Sequence, residues 1–208
     1  MAEKKNKHDL PYLFKRYTKF YKMAELNKAE EYNDVTKQQK ELLYSYLVKE
    51  LNGSEKSILD FGCGVGRFTS DLAELINGKA IGVDSTKKLI ELCPKSENTT
   101  YIHNNNFFNE NKSKFDVIFI CSVLGGIPTN NLNKLTDQIS LSLNENGLLF
   151  IVEHTGKFHI ERQWRTLTIR EIKNKFLKID LHVVGSYIDV DRFSIFSGRK
   201  TKITSKLQ

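Results

Sequence analysis

Apolar residues occur along this chain in short runs that alternate with amphipathic segments. Apolar runs rich in β-branched and aromatic residues predict buried strands, and apolar residues that recur every three or four positions predict helices. The predicted strands cover residues 57–61, 80–83, 99–103, 115–121 and 147–153, and the predicted helices cover 67–77, 85–92, 129–144 and 168–176. Alternation of strands and helices predicts a parallel sheet covered by helices on both faces.

The two ends of the chain depart from this alternation. Residues 8–50 have helical spacing of apolar residues and predict an N-terminal helical extension. The first part of that extension is aromatic, which suits either packing on the core or a lid over a site. Near the other end, two runs at 179–188 and 191–200 are joined by a short connection, which predicts an antiparallel hairpin.

The most distinctive turn follows the first predicted strand, where Asp60 is followed by glycines at positions 62, 64 and 66. Glycines allow the backbone to turn tightly and leave no side chains between it and a bound molecule. Asp84 follows 24 residues after Asp60, at the tip of the second strand. A carboxylate in that position can accept hydrogen bonds from a ribose diol. The pattern predicts a pocket for a nucleoside-containing cofactor, and the alternative is a tight turn without a ligand.

The spacing of the glycines bears on which nucleoside is bound. Dinucleotide sites favour Gly-x-Gly-x-x-Gly, with a pyrophosphate at the helix N-terminus. Here the spacing is Gly-x-Gly-x-Gly, and Asp60 would repel a pyrophosphate but attract a cation. The stretch Asp60-Phe61-Gly62-Cys63-Gly64-Val65-Gly66, with Asp84 beyond it, closely resembles the first two motifs of class I S-adenosylmethionine-dependent methyltransferases. An NAD-type site is the alternative.

The resemblance extends over residues 40–155, because the run Lys114–Ser122 resembles the fourth strand of that family and Asn146–Glu153 resembles the fifth. It implies an α/β fold: a Rossmann-like seven-stranded sheet, mostly parallel, with an antiparallel C-terminal hairpin. It also implies S-adenosylmethionine as the cofactor and S-adenosylhomocysteine as the product.

Ligands of such sheets bind outside the carboxyl ends of the strands, which selects the candidate cofactor residues. These are Asp60, Gly62, Cys63, Gly64, Gly66, Asp84, Ser85, Asn105, Asn106 and Cys121. We expect Asp84 to bind the ribose diol and Asp60 to help hold the cationic methionine end. The resemblance implies that Asn105 or Asn106 stands where the family often has an acid that bonds the adenine amino group. A carboxamide oxygen can accept the same hydrogen bond.

The acceptor side is expected in the loop after the fifth strand. Methyl transfer is an in-line displacement in which the enzyme aligns the nucleophile and, for a hydroxyl, removes a proton. The candidate bases are His154, His159 and Glu153, although each can instead form structural hydrogen bonds. We expect Arg162, Trp164 and Arg165 to bind the acceptor, and no metal-binding spacing is present.

Charge is unevenly distributed along the chain, which carries a net charge of +7. Residues 156–208 contain 12 Lys and Arg against 5 Asp and Glu, whereas residues 51–155 contain 9 against 12. The basic end favours an anionic acceptor, or it is only a solvated surface. Three cysteines without a Cys-x-x-Cys pair argue against a disulfide framework or a zinc site. The polar N-terminus and the lack of a long apolar run lead us to expect a cytoplasmic protein without a membrane partner.

These features predict a single domain, with an N-terminal extension (1–50), a cofactor-binding core (51–155) and a substrate-side region (156–208). The expected reaction is methyl transfer to an oxygen or nitrogen of a small, anionic metabolite or sugar-type acceptor, because 208 residues leave little room for a macromolecule-binding domain. The segment Cys121–Pro128 lacks the Asn/Asp-Pro-Pro-Tyr motif of methyltransferases that alkylate DNA bases. The alternatives are an RNA or protein methyltransferase that docks through the basic end, and a non-catalytic cofactor-binding module.

Overall fold

A seven-stranded sheet forms the centre of the computed structural model, which describes residues 29–156, 165–188 and 191–201. The strands are β1 (Ser57–Phe61), β2 (Lys79–Asp84), β3 (Thr99–His103), β4 (Phe115–Cys121), β5 (Leu143–His154), β6 (His182–Ile188) and β7 (Arg192–Arg199). The α-helices are α1 (Ala29–Glu50), α2 (Thr69–Leu75), α3 (Lys87–Ile90), α4 (Phe107–Glu110), α5 (Thr129–Ser142) and α6 (Ile169–Lys175). A 3₁₀ turn covers Leu124–Gly126.

The order of strands across the sheet is β3-β2-β1-β4-β5-β7-β6. The first five strands of the chain pair in parallel, and β7 runs antiparallel to both β5 and β6. The strand order reverses between β1 and β4, so the loops that follow these two strands diverge and leave a crevice. This arrangement confirms the predicted Rossmann-like sheet with its antiparallel C-terminal hairpin.

The core consists of two apolar layers, one on each face of the sheet. Alternate residues of a strand point to opposite faces. Ile118 and Ile120 of β4 therefore pack in the layer that α5 and α6 cover, and Val117 and Phe119 pack in the layer that α1 and α2 cover. The buried helical residues that complete the two layers include Leu132, Ile139 and Ile172 on one side and Leu43, Leu47 and Leu72 on the other. Helices thus cover both faces, as predicted.

Some boundaries differ from the sequence-based expectation. Strand β5 begins at Leu143, four residues before the predicted start, and Asn146-Gly147, a pair typical of turns, lies inside the strand. Asn146 has a φ of 62°, a left-handed conformation that Asn adopts more easily than most residues, so the backbone deviates there while pairing continues. The predicted helix 85–92 is only one turn long, and the short helix α4 was not predicted.

The aromatic part of the N-terminal extension lies outside the described residues, so the choice between lid and core packing remains a prediction. Within the described ranges, no helix combines the length and apolarity needed to cross a membrane.

Candidate functional site

The loop between β1 and α2 is held against the end of β2. The backbone amides of Gly62 and Cys63 donate to the carbonyl oxygen of Val83 at 2.8 and 3.0 Å. Gly62, Gly64 and Gly66 all have φ between +58° and +78°, the left-handed region that favours glycine. The glycine pattern in the sequence therefore reflects a turn that other residues would strain.

The three glycines differ in what surrounds them. A Cβ atom on Gly62 would lie 2.3 Å from Cγ2 of Val123, and one on Gly66 would lie 2.6 Å from the ring of Tyr101. A Cβ on Gly64 would meet no atom within 4 Å. Gly62 and Gly66 are thus required by packing inside the protein, whereas Gly64 leaves open space where a ligand can approach.

Asp84, at the end of β2, braces this loop. Its Oδ2 accepts a hydrogen bond from the amide of Gly64 at 3.0 Å, and its Oδ1 accepts one from the amide of Thr86 at 2.8 Å. Each carboxylate oxygen has a second lone pair available. Asp84 can therefore hold the glycine loop and still accept hydrogen bonds from a diol in front of it.

Asp60 is a buried carboxylate at the end of β1, with 2% of its surface exposed. Burial raises its pKa to about 6, although the hydrogen bond from Thr69 and the nearby Arg67 guanidinium act in the opposite direction. The Oγ1 atom of Thr69 donates to Oδ2 of Asp60 at 2.6 Å. A carboxylate in this setting is stabilised by a cation, because the cation offsets the unfavourable burial of its charge.

A cavity of about 700 Å³ opens in front of these groups. Nine of the ten predicted cofactor residues line it: Asp60, Gly62, Cys63, Gly64, Asp84, Ser85, Asn105, Asn106 and Cys121. Gly66 does not line it and contacts Tyr101 instead. The opposite wall is formed mainly by α4 and α5 and by the segment between β4 and α5, including Phe108, Ile127, Asn131, Lys134, Leu135 and Gln138.

Among the residues of the cavity wall that were missed in the sequence are two polar side chains, Gln39 of α1 and Arg67. The Nη1 atom of Arg67 donates to Oε1 of Gln39 at 2.7 Å, and its guanidinium lies 4.3 Å from the ring centroid of Phe68. Arg67 could have been suspected because it directly follows the last glycine. Gln39 gave no signal, because its position depends on how α1 packs against the sheet.

Asn105 and Asn106 lie exposed in the turn after β3, at the cavity wall. The preceding Asn104 is engaged within the turn, because its Oδ1 accepts from the amide of Asn106 and its Nδ2 donates to Glu110. Asn105 and Asn106 therefore line the cavity, and their contact with adenine, which the resemblance implies, remains a prediction.

Glu153 and His154, the last two residues of β5, lie away from the cavity wall and are almost completely buried. The Nε2 atom of His154 is 3.1 Å from Oδ2 of Asp191, and its Nδ1 is 3.1 Å from Oγ1 of Thr166. Glu153 accepts hydrogen bonds from backbone amides. The geometry favours the structural alternative for both residues, and their role as bases remains a prediction. His159, the third candidate base, lies outside the described residues.

Only one of the three predicted acceptor residues is described. Arg165 donates from its backbone amide to the carbonyl of Gly125 at 2.9 Å, and from Nη1 to Oγ1 of Thr129 at 3.2 Å. Its Nε and Nη2 atoms are buried and have no hydrogen-bond partner. It lies beside the start of α5, outside the described wall of the cavity. Arg162 and Trp164 fall outside the described residues.

The cysteines near the site are thiols. Cys63 and Cys93 both direct Sγ at the carbonyl oxygen of Gly64, at 3.7 and 3.5 Å. A hydrogen bond with Cys93 and burial raise the pKa of the Cys63 thiol, and burial raises that of Cys121 to about 11. The thiols pack as small apolar groups near the glycine loop.

Comparisons with known proteins agree with this geometry. The chain matches the family model of a methyltransferase domain over residues 32–182. No curated protein matches the sequence. Many solved structures share the fold, among them three methyltransferases. One is the magnesium protoporphyrin IX methyltransferase from Synechocystis with bound S-adenosylmethionine (16% identity, 80% of this chain and 81% of that chain, TM-score 0.64).

The second is the plantazolicin methyltransferase BamL in complex with a triazolic desmethylPZN analog and S-adenosylhomocysteine (18% identity, 89% of this chain and 91% of that chain, TM-score 0.65). The third is the N-methyltransferase NodS from Bradyrhizobium japonicum in complex with S-adenosylhomocysteine (15% identity, 88% of this chain and 97% of that chain, TM-score 0.64). Because the family model spans the glycine loop, Asp84 and the first five strands, the chain belongs to the methyltransferase-domain family and is a class I S-adenosylmethionine-dependent methyltransferase.

Proposed function

We propose that this enzyme transfers the methyl group of S-adenosylmethionine to an oxygen or nitrogen of a small anionic acceptor, such as a phosphorylated or carboxylated metabolite or a sugar unit. The observation that carries the proposal is the cavity of about 700 Å³, in which the glycine loop and Asp84 face α4 and α5. This volume lies within the range of roughly 300–1,000 Å³ typical of small-molecule sites. One cavity thus suits a cofactor and a small acceptor together.

The cofactor is expected to lie along the carboxyl ends of β1, β2 and β3. Asp84 would accept hydrogen bonds from the ribose diol, and Asn105 or Asn106 would bond the adenine amino group. At the other end, Asp60 would attract the ammonium of the methionine moiety. Arg67 would face its carboxylate, because a guanidinium suits a carboxylate through paired hydrogen bonds.

The reaction demands alignment more than strong acid–base chemistry. The acceptor nucleophile attacks the methyl carbon in line with the bond to sulfur, the electron pair of that bond stays on sulfur, and S-adenosylhomocysteine leaves as a neutral thioether. Cys121 and Ser122 line the cavity at the end of β4, where the methyl group would point. None of the described residues that line the cavity is a histidine. An amine acceptor that enters deprotonated needs no base, and a hydroxyl acceptor would need one, with His159 as a candidate.

Positive charge supports an anionic acceptor. Lys134 lines the cavity, and the Arg165 guanidinium lies beside the first residue of α5 with two nitrogens that lack hydrogen-bond partners. Residues 156–208 carry 12 basic against 5 acidic residues. Guanidinium groups pair with carboxylate or phosphate groups. An anionic group of the acceptor would supply a hydrogen-bond partner for the two buried nitrogens of Arg165.

The test is a screen with labelled S-adenosylmethionine against paired acceptors that differ only in an anionic group. We expect turnover of the anionic member of a pair. Arg165→Ala should then lower kcat/KM for that acceptor by about tenfold or more, because a charged hydrogen bond contributes roughly 1.5–3 kcal/mol. Affinity for S-adenosylhomocysteine should stay at the parent value. A neutral acceptor that the parent and Arg165→Ala turn over equally well would contradict the proposal.

The charge of the C-terminal region also favours a second candidate, a methyltransferase acting on RNA or on a protein. Binding of RNA with a steep dependence on salt concentration would support the RNA form of that candidate. Tight binding of S-adenosylhomocysteine without turnover of any acceptor would instead point to a non-catalytic module.

A further inference from the structure

The carboxylate of Glu153 is fully buried at the end of β5, outside the cavity. A buried carboxylate is unfavourable unless hydrogen bonds compensate for the lost water. Three backbone amides do so here. Oε2 accepts from Val123 at 3.1 Å and from Leu124 at 2.8 Å, and Oε1 accepts from His154 at 3.0 Å.

Two of these amides belong to the turn that follows β4. This turn begins at Ser122, which has a φ of 57° although it is not glycine. A left-handed conformation is unfavourable for an L-residue, so surrounding contacts must maintain it. The amide of Ser122 donates to the carbonyl of Val152 at 2.8 Å, and Glu153 binds the next two amides. Consecutive residues of β5 thus hold three consecutive amides of the turn.

This turn also supports the glycine loop. The side chain of Val123 lies against Gly62, so closely that a Cβ on Gly62 would be 2.3 Å from Cγ2 of Val123. Cys121, Ser122 and Val123 all line the cavity. The position of this wall, between the loops after β1 and β4, therefore depends on the turn that Glu153 holds.

We propose that Glu153 is a positioning residue, whose ionised carboxylate fixes the Ser122–Leu124 turn and through Val123 the shape of the cofactor cavity. It touches neither cofactor nor acceptor. The proposal rests on the binding of S-adenosylmethionine in this cavity. In this proposal Glu153 is not an alternative base but acts on the reaction through the turn that it binds.

The ionised form suits this role because its oxygens only accept hydrogen bonds, whereas a protonated carboxyl directs a hydrogen at one of the three amides. Burial raises the pKa of Glu153 to about 7, against the effect of the amide hydrogen bonds. Acidification below that value should therefore loosen the turn and weaken cofactor binding.

Few other ionisable groups of the described part of the chain face Glu153. Cys121 of β4 has a thiol whose pKa is raised to about 11 by burial, so it stays neutral. On β7, the residue paired with Glu153 is Ser194, which does not titrate. The ring of His154 is directed at Asp191 and Thr166. A transition in affinity near pH 7 that disappears with the Glu153 carboxylate would belong to Glu153.

The experiment compares Glu153→Gln with Glu55→Gln by calorimetry with S-adenosylhomocysteine between about pH 6 and 8.5. Glu55 is the matched control, because it is also a buried glutamate that accepts from backbone amides, those of Asn52 and Gly53, yet it lies outside the cavity. The parent and Glu55→Gln should lose affinity as the pH falls through about 7, by about fivefold or more. Glu153→Gln should bind about fivefold or more weakly at pH 8, without that transition.

Circular dichroism establishes that each variant is folded. A folded Glu153→Gln with the affinity and pH profile of the parent would overturn the positioning role alone. If Glu153→Gln does not fold, the pH dependence of the parent tests the role. An affinity of the parent for S-adenosylhomocysteine that stays constant from about pH 6.5 to 8.5 would overturn it. Failure of the parent to bind S-adenosylhomocysteine at any pH would overturn the cofactor assignment together with the inference built on it.

Discussion

Replacement of Asp84 with alanine is the perturbation for which the structure supports the most detailed expectation. The carboxylate accepts hydrogen bonds from the amides of Gly64 and Thr86, and it lines the cavity where the ribose is expected. Asp84→Ala removes both braces of the glycine loop together with the acceptor for the diol. The variant should therefore lose affinity through missing ligand contacts and through a less ordered loop.

The magnitude follows from the number of hydrogen bonds lost. A hydrogen bond to a charged group contributes roughly 1.5–3 kcal/mol, so loss of the ribose contact alone lowers affinity by about tenfold to a hundredfold. Loosening of Gly64 adds to this loss. Calorimetry with S-adenosylhomocysteine measures the affinity, and chemical denaturation without ligand measures the free energy of unfolding. We expect both quantities to fall.

Asp84→Asn is the matched control. The side-chain oxygen of asparagine can accept a hydrogen bond from the amide of Gly64 or of Thr86, but its NH₂ group cannot accept one from the remaining amide. Its affinity should lie between those of the parent and Asp84→Ala. If Asp84→Ala binds S-adenosylhomocysteine as tightly as the parent, the assignment of Asp84 to the ribose is wrong.

Two further predictions concern the loop and the buried acid beside it. Gly62→Ala and Gly64→Ala both place alanine at a positive φ, but only Gly62→Ala also displaces Val123. Thermal unfolding should therefore show a loss of stability that is larger for Gly62→Ala by roughly 1–3 kcal/mol. Equal losses in the two variants would contradict this reasoning. The pKa of Asp60 is raised from 3.8 to about 6. The protonated carboxyl therefore makes its full favourable contribution to the free energy of unfolding below pH 3.8, and this contribution is lost as the pH rises through 6. Between pH 4 and 7, the free energy of unfolding of Asp60→Asn, measured by denaturation, should rise relative to that of the parent by up to about 3 kcal/mol. A difference between the two proteins that stays constant with pH would argue against an ionised, buried Asp60.

The sequence was a good guide to the centre of the sheet. The predicted limits of β1, β3 and β4 agree with the structure, because each is an apolar or β-branched run bounded by turn-forming or polar residues. The short helix α4 was missed, since four residues give no helical period and its two phenylalanines are buried in the core. The early start of β5 was missed because Asn146-Gly147 is typical of a turn, whereas here it is a deviation within a paired strand.

In the candidate site, the rule that ligands bind at the ends of parallel strands located from sequence the side of the cavity formed by the ends of β1 to β4. It could not separate residues that face the ligand from those that face the protein. Gly66 is required by the ring of Tyr101, a long-range contact with no local signal. Glu153 and His154 were expected to face the acceptor, yet β7 pairs with β5 as far as the pair His154–Phe193 and both side chains are buried. Such pairing of distant strands cannot be derived from local periodicity.

The central claim is that the cavity binds S-adenosylmethionine through the glycine loop and its two carboxylates. Its most direct test is calorimetric titration of the purified protein with S-adenosylhomocysteine and, separately, with NAD. We expect saturable binding of about one S-adenosylhomocysteine per chain and much weaker binding of NAD, whose pyrophosphate would face Asp60. Absence of S-adenosylhomocysteine binding, or tighter binding of NAD, would contradict the account.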